Sequence, residues 1–395
     1  MTFYDVTKAY DNVDNADLLK IVGDKGIRGK LWRILKNMNS ELKAQVKTKF
    51  GLTREIDMQI GGRQGSRLTG RLFSKLTDLL AEDAIAEKIG FNVFQGLTIP
   101  MLLWIDDVTT LAEGEKEQKE TLDRIDRFAK NHKFRWGQQK CQVMRIGKHD
   151  TTKNTQWQIG DMPISETNSY KYLGDMISDD GKNTKNIEAR RIKTNATTTS
   201  IKNIASNSIF KEIGTPVLLD LHETITMSAL LTNSESWLLN KGDKKELERI
   251  KIQAMKHLFN LPAHTPTPAI IFIFGLLYTS LRIEQRQLLY LWNLLQRQSN
   301  HWTRMALIQT TEKGIGWGKA IMNTLANHNL PTSLEEITRL SKTEWTRKVK
   351  KAIESSHKER LIDDLHKTEG EVKTEKTKTA SIINHVSHSN FQREP

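Results

Sequence analysis

Residues 99–112 read Ile-Pro-Met-Leu-Leu-Trp-Ile-Asp-Asp-Val-Thr-Thr-Leu-Ala, and this stretch decides the fold. Apolar runs flank the adjacent acids Asp106 and Asp107, which predicts two strands joined at an acidic turn. Successive strand residues point to opposite faces of a sheet, so one acid would be buried unless the pair lies at the turn. Two carboxylates at one point repel each other and raise a pKa unless a cation shares the site. The plain alternative is an acidic turn on the surface.

A third acid, Asp5, interrupts the apolar run Phe3-Tyr4-Asp5-Val6 near the start of the sequence. Strand pairing that brings Asp5 to the 106–107 turn would complete a site for two divalent ions. Oxygen ligands suit Mg2+, with Mn2+ as the alternative ion. Paired metals stabilise the attacking and leaving oxygens in phosphoryl transfer. We therefore expect Asp5, Asp106 and Asp107 to converge.

Outward from these acids, short strands alternate with helices as far as residue 178. This pattern predicts an α+β fold in which an antiparallel sheet carries helices on one face. Helices are expected at about 16–38, 68–89 and 115–132, a hairpin within 42–60, and strands near 142–146, 157–159 and 170–177.

Beyond residue 179 the sequence becomes polar and helical, and prolines interrupt it near residue 262. The predicted divisions are a domain at 1–178, a helical region at 179–261, a second helical region at 262–355 and a disordered tail at 356–395. The tail is predicted from its Lys, Glu, Thr, Ser and His content, which offers little apolar surface to bury.

Composition excludes several classes of protein. The 395 residues are 37% hydrophobic, which is enough for a sizeable core. The longest uncharged apolar run, 269–278, is half of the roughly 20 residues that a membrane-spanning helix needs. No apolar leader opens the sequence, so we expect a nuclear or cytoplasmic protein and no secretion. The single cysteine, Cys141, excludes a disulfide framework and a multi-cysteine zinc site.

The charge balance favours a polyanionic partner. The net charge is +13, and residues 20–75 carry fourteen Lys or Arg against four acids. Such a field suits nucleic acid, although a solvated basic face gives the same count. Arg63, Arg67 and Arg71 recur every four residues, so a helix would present them together as nucleic-acid contacts.

Five motifs follow one another in an order that resembles reverse transcriptases of non-LTR retrotransposons. They are Phe3-Tyr4-Asp5-Val6 through Tyr10-Asp11-Asn12-Val13, Gly62-Arg63-Gln64-Gly65-Ser66, Leu103-Trp104-Ile105-Asp106-Asp107, Gln139-Lys140-Cys141-Gln142-Val143 and Tyr170-Lys171-Tyr172-Leu173-Gly174. The resemblance implies a right-hand polymerase palm over 1–178, then a mostly α-helical thumb and C-terminal region. It also implies an RNA template, a DNA primer and deoxynucleoside triphosphates as partners.

The resemblance gives the first motif and the acidic turn their roles. Asp5 and Asp106 would bind two Mg2+ ions, with Asp107 beside them and the backbone carbonyl of Val6 as a further ligand. Tyr10 would stack under the incoming sugar and exclude a 2′-hydroxyl, so the product would be DNA.

The remaining motifs would hold the substrates. Gln64 and Gly65 would form the floor under the nascent base pair, and Lys140 would act at the triphosphate. A primer grip would be formed by Tyr172, Leu173 and Gly174.

Three features depart from the family pattern. Arg67, Thr69 and Gly70 occupy the stretch after the Gln-Gly pair in which family members usually carry prolines. Trp104 and Ile105 replace a smaller aromatic residue and an alanine before the acids. The resemblance implies a fingers segment ahead of the first motif; we expect this chain to lack it and therefore to extend a primer only feebly.

Two alternatives stay open. One is an inactive remnant that at most binds nucleic acid. The other is a two-metal nuclease, which would explain the acids but neither Gln64-Gly65 nor residues 172–174.

Overall fold

A computed structural model describes residues 1–7, 14–40, 42–58, 61, 67–87, 89–94, 97–147, 155–206 and 213–374. The chain divides into two compact units. The first unit comprises residues 1–171 and 177–182, and the second comprises residues 172–176 and the chain from 183 onward.

The first unit contains a six-stranded sheet with the strand order β11-β12-β10-β1-β9-β8. The strands of the described chain are β1 (Thr2–Tyr4), β2 (Leu42–Ala44), β3 (Lys47–Thr48), β4 (Gly51–Leu52), β5 (Ile56–Met58), β6 (Phe91–Phe94), β7 (Leu97–Ile99), β8 (Met101–Trp104), β9 (Asp107–Thr110), β10 (Gln142–Val143), β11 (Trp157–Ile159), β12 (Met162–Glu166), β13 (Ser169–Tyr172) and β14 (Asp175–Ser178). The helices of this unit are α1 (Asn15–Asp24), α2 (Gly29–Ser40), α3 (Arg67–Ala86) and α4 (Glu115–Asn131).

The sheet is mixed, so the prediction of a purely antiparallel sheet is wrong. Strands β10 and β12 run parallel, with Gln142 opposite Ser165, while the other pairs in this sheet are antiparallel. The reason lies in the path of the chain. After β10 the chain forms β11 at the edge of the sheet, and it then returns as β12, which lies between β11 and β10.

The helices pack against one face of this sheet. Tyr4 and Val108 share a buried cluster with Phe73 of α3 and Ile125 of α4. Phe3 lies on the opposite face, because neighbouring strand residues point to opposite sides. There its ring stacks on Tyr170, with ring centroids 4.0 Å apart. One face therefore forms the main core, and the other carries the separate stack of Phe3 on Tyr170.

The predicted pair of strands within 99–112 is confirmed. Strands β8 and β9 pair with Trp104 opposite Asp107, so only two residues form the turn. The hairpin predicted within 42–60 is also present, as β3 paired with β4. The helix predicted at 16–38 is instead two helices, because Gly26 and Gly29 take positive φ angles of 92° and 64° between them.

The second unit is helical. Its helices are α5 (Thr184–Ser206), α6 (Thr215–Leu221), a π-helix (His222–Thr226), α7 (Met227–Leu231), a 3₁₀ helix (Ser234–Ser236), α8 (Lys241–Leu258), α9 (Thr267–Ile273), α10 (Thr279–Leu295), α11 (Trp302–Glu312), α12 (Gly316–Asn327), α13 (Leu334–Arg339) and α14 (Lys342–Thr374).

Residues on both sides of the predicted boundary at 262 lie in the same compact unit. Helix α8 contributes Leu247 to one apolar cluster and Met255 to the next. Ile283 of α10 lies in the first cluster, although it follows the prolines. The prolines break a helix, but side chains from both sides of the break share the same cores.

The predicted disordered tail is wrong over residues 356–374, which belong to α14. Leu361 is buried in the second cluster. The Tyr278 hydroxyl donates to Asp364 at 2.7 Å, and the Arg360 guanidinium lies 3.9 Å from the centre of the same ring. A few specific contacts thus stabilise this polar helix. The composition of the segment does not reveal such contacts. Residues 375–395 lie outside the described chain.

Among the described helices, none combines the length and apolar character that crossing a bilayer requires.

Candidate active site

Asp5 and Asp107 lie on the same face of the sheet. The register sets Tyr4 opposite Val108, and both of these side chains face the helices. Because strand residues alternate, Asp5 and Asp107 project from the other face, at the same end of two neighbouring strands. Two of the three expected acids are therefore brought together by strand pairing.

Asp106 reaches the same end of the sheet through the turn. Ile105 and Asp106 are the two turn residues, and Ile105 takes a φ of 58°. Such hairpin turns usually place glycine or asparagine at positive φ, where a β-branched side chain is strained. The Thr77 hydroxyl of α3 donates to the carbonyl of Ile105 at 3.1 Å. This bond fixes the turn that carries Asp106.

The electrostatics of Asp107 show how the acids act on one another. Burial raises the pKa of its carboxyl group, and the negative charges of Asp106 and Asp5 raise it further. The ammonium of Lys140 opposes both effects. A site of this kind stabilises an added cation, since a cation relieves the repulsion.

Lys140 pairs with Asp5. Its Nζ lies 3.1 Å from each carboxylate oxygen, and 68% of the lysine side chain is exposed against 24% for Asp5. The lysine predicted to act in catalysis is thus brought to the acids, on a loop anchored to the first motif. That anchor is the Gly137 N–H, which donates to the Asp5 carbonyl at 2.8 Å.

Three further residues shape the site, and sequence reasoning assigned no role to them. Gly137 lies directly beside Asp5, because a Cβ atom there would be in van der Waals contact with a carboxylate oxygen of Asp5, at 3.4 Å. The Cys141 thiol is buried, which raises its pKa to about 11. The Tyr170 hydroxyl donates to the Lys140 carbonyl at 2.8 Å.

The pKa of Tyr170 is raised to about 12 by burial, and the charges of Asp5 and Asp107 contribute to this shift. Tyr170 therefore stays protonated and keeps its bond to the Lys140 loop. Its stacking on Phe3 was not visible in the sequence, because the two residues are far apart in the chain.

Val6 lies next to Asp5 and is buried. It forms an isolated antiparallel bridge with Trp136, flanked by bonds from Thr7 N–H to Arg135 O and from Gly137 N–H to Asp5 O. In such a non-hydrogen-bonded pair, the carbonyl of Val6 is not used by the facing residue. The role of this carbonyl as a metal ligand stays a prediction.

Several predicted residues lie outside the described part of the chain, namely Tyr10, Arg63, Gln64 and Gly65. Arg67 begins α3, but its side chain is also outside that part. Arg71 is exposed on α3. The described contact nearest to the glycine-rich stretch is from Asn15, whose amide donates to the Gly61 carbonyl at 2.9 Å.

The three residues predicted to grip the primer, 172–174, belong to the second unit. Leu173 and Gly174 have φ angles of 47° and 91°, so they form a tight turn. The Asn233 amide donates to the Leu173 carbonyl at 2.9 Å and to Asp175 at 3.1 Å.

Asp175 anchors this turn to the helices. It accepts from Arg190 at 2.5 Å, and Arg190 also donates to the Thr232 carbonyl at 3.1 Å. The Trp237 indole N–H donates to the other oxygen of Asp175 at 3.3 Å. A buried arginine thus fixes the turn within this unit.

In the described residues, no three His, Cys, Asp or Glu side chains are gathered closely enough to hold a metal ion as they stand. The donor set nevertheless fits a divalent cation. Carboxylates and a backbone carbonyl are the oxygen ligands that Mg2+ prefers, and the pKa of Asp107 is raised first by burial and then by the charges of Asp106 and Asp5.

Comparison with known proteins adds a family match for one part of the chain. Residues 1–177 match the family described as "Reverse transcriptase (RNA-dependent DNA polymerase)", whose members are nucleotidyltransferases. A solved structure of telomerase from Candida albicans, in complex with a TWJ fragment of telomeric RNA, is 10% identical and aligns over 88% of this chain with a TM-score of 0.34. The alignment covers 49% of that chain, so the protein spans about half of its length.

Proposed function

We propose that this chain, whose residues 1–177 match the reverse transcriptase family, is an RNA-directed DNA polymerase that works by two-metal nucleotidyl transfer. The observation that carries the proposal is the position of Asp5 and Asp107 at the same end and on the same face of neighbouring strands, with Asp106 in the connecting turn.

Asp5, Asp106, Asp107 and the Val6 carbonyl would hold the metal ions. Bound divalent ions would lower the charge on the triphosphate and stabilise the attacking and leaving oxygens. Mg2+ fits the all-oxygen donor set, and Mn2+ has similar ligand preferences.

The other residues of the site position these groups. The Gly137 N–H holds the Asp5 backbone through its carbonyl, and Tyr170 holds the loop that carries Lys140. The Lys140 ammonium is exposed beside Asp5, so it can contact an incoming triphosphate. In phosphoryl transfer, such positioning and charge neutralisation supply most of the rate.

We further propose that the second unit contains the thumb and C-terminal region. A cavity of about 1380 Å³ runs along α8 in this unit, from Lys241 to Asn260. Seven Lys or Arg side chains line it against three Glu, and they are Lys202, Lys241, Lys244, Lys245, Arg249, Lys256 and Arg360. This excess of positive charge suits a phosphate backbone. The turn at 172–174 would hold the primer end.

The motifs also support an origin in a non-LTR retrotransposon. The RNA template, DNA primer and deoxynucleoside triphosphates are the partners that this proposal implies.

Primer extension on an RNA template with Mg2+ and deoxynucleotides tests the function. The chain would be assayed alone and as a fusion to the fingers segment of an intact reverse transcriptase. We expect extension in at least one form, lowered a thousandfold or more by Asp5→Asn and by Asp106→Asn because each removes a metal ligand. Asp161→Asn changes an exposed acid in the β11–β12 turn and should leave extension unchanged.

No extension in either form would overturn the proposal and favour a remnant that only binds nucleic acid. Equal loss in Asp161→Asn would mean that the effect is general rather than specific to the metal ligands.

A further inference from the structure

An aromatic ring stands at the tip of the hairpin formed by β3 and β4. Phe50 is 89% exposed, the largest value among the exposed apolar side chains of the described residues. Leu52, in the same hairpin, is 65% exposed. A ring this exposed contributes almost nothing to the core, since hydrophobic stabilisation scales with the area removed from water.

The tip is held in a defined shape. The Phe50 N–H donates to the Thr48 hydroxyl at 3.1 Å, and that hydroxyl donates to the Gly51 carbonyl at 2.9 Å. Gly51 has a φ of 121°, which other residues rarely adopt. Below the tip, Val46 and Thr53 exchange two bonds of 3.0 Å. These bonds hold the backbone that presents Phe50 in one conformation.

Positive charge surrounds the ring. The Lys49 ammonium lies 4.9 Å from the ring centroid, and Lys47 and Arg54 are exposed nearby. In the described part of the chain, no ion pair joins any of these three cations to a carboxylate, whereas Glu55 pairs with Lys43 at 2.9 Å. The hairpin thus offers an aromatic face together with uncompensated cations.

We propose that this hairpin tip binds single-stranded nucleic acid, with Phe50 stacked on an unpaired base and Lys47, Lys49 and Arg54 beside its phosphates. Aromatic rings flanked by basic residues bind single strands without sequence preference, because every base has a π-face. A duplex hides those faces in its own stack, so the tip should favour unpaired nucleotides. Binding here would use none of the three acids.

The test uses the full chain and a 12-nucleotide single-stranded RNA that carries 2-aminopurine at one position. We expect Phe50→Ala to weaken binding of this RNA by about tenfold, the range that one stacking contact contributes. Phe50→Trp should restore both affinity and quenching of the 2-aminopurine, whereas Phe50→Leu should not. Affinity for a duplex of the same length should change little.

Leu52→Ala is the matched control, because it removes an exposed apolar side chain from the same hairpin. Lys47→Gln and Lys49→Gln should each reduce the slope of log affinity against log salt concentration, by about the amount that one phosphate contact contributes. Unchanged melting temperatures would show that the variants are folded, as expected for residues this exposed.

Unchanged affinity in Phe50→Ala would overturn the proposal. Full restoration by Phe50→Leu would also overturn it, because an apolar contact with another protein needs no ring. Asp106→Asn should bind the RNA as the wild-type chain does, so a failure of catalysis and a failure of this contact are distinguishable.

Discussion

The ammonium of Lys140 lies 3.1 Å from both carboxylate oxygens of Asp5, although 134 residues separate the two in the chain. The contact places a cation of the protein at the acid that begins the first motif. Lys140 therefore supplies part of the positive charge that the cluster of acids requires, and it competes with any metal ion for Asp5.

Replacing this lysine should strengthen metal binding. In Lys140→Gln the three acids lose a positive neighbour, so we expect Mn2+ to bind several-fold tighter and to raise the melting temperature more than in wild type. Thermal unfolding across a Mn2+ titration measures this without an activity assay. Lys133→Gln is the control, because Lys133 pairs with Asp14 at 3.3 Å and not with one of the three acids. An equal response in both variants would contradict the competition.

At the turn residue Ile105, replacement by glycine should destabilise the protein less than replacement by alanine, which is the reverse of the usual order. Its φ of 58° strains any side chain with a Cβ, by about 1–2 kcal/mol. Ile105→Ala loses packing and keeps the strain, whereas Ile105→Gly loses packing and relieves it. We therefore expect the glycine variant to have the higher free energy of unfolding, measured in urea.

The matched control is Leu103, which lies in β8 and packs against the same core. There glycine should be the more destabilising replacement, by about 0.5–1 kcal/mol relative to alanine. If glycine were more destabilising than alanine at both positions, the turn would not be strained.

His222 should make the second unit sensitive to acid. Its imidazole is fully buried, both ring nitrogens lack a partner among the described residues, and burial lowers its pKa to about 4. The unfolded chain takes up a proton near pH 6.5, whereas the folded chain resists until about pH 4. This contribution to stability is therefore complete above pH 6.5 and declines as the pH falls from 6.5 to 4, by about 3 kcal/mol in all.

The prediction for His222→Gln is a free energy of unfolding that declines less steeply across this pH range. His264→Gln, at an exposed position, should leave the pH profile unchanged. Parallel profiles for wild type and His222→Gln would refute the assignment. Denaturation in urea at intervals of half a pH unit gives the comparison.

The buried pair of Arg190 and Asp175 should be costly to break. Arg190→Met leaves Asp175 without its main counter-charge, so we expect a loss of about 3 kcal/mol in the free energy of unfolding. The neighbouring Arg191→Met should cost less than about 1 kcal/mol, because its pair with Glu188 is exposed. Replacing both Arg190 and Asp175 by apolar residues should recover part of the loss. A cost no larger than that of Arg191→Met would refute the role of this pair.

The sequence alone determined the elements that depend on neighbouring residues. Alternating and continuous apolar runs identify β8 and β9, and the two acids between them mark the turn. The spacing of apolar residues likewise identifies α3 and α4 to within a few residues. Such signals are local, because the periodicity of a strand or a helix is read from a short window of consecutive residues. The order of the motifs added the reverse transcriptase resemblance, which the family match supports over residues 1–177.

Only the tertiary structure decided the contacts between distant residues. Three such contacts depend on strands that meet across the sheet. They are the pairing of Lys140 with Asp5, the hydrogen bond from Gly137 to the Asp5 carbonyl and the stacking of Tyr170 on Phe3. The direction of β12 and the length of α14 also depend on packing between distant residues. Strand β12 lies between β11 and β10, and Leu361 of α14 is buried in an apolar cluster. These features are fixed by burial against residues that are distant in the chain. A local stretch of sequence does not identify those residues.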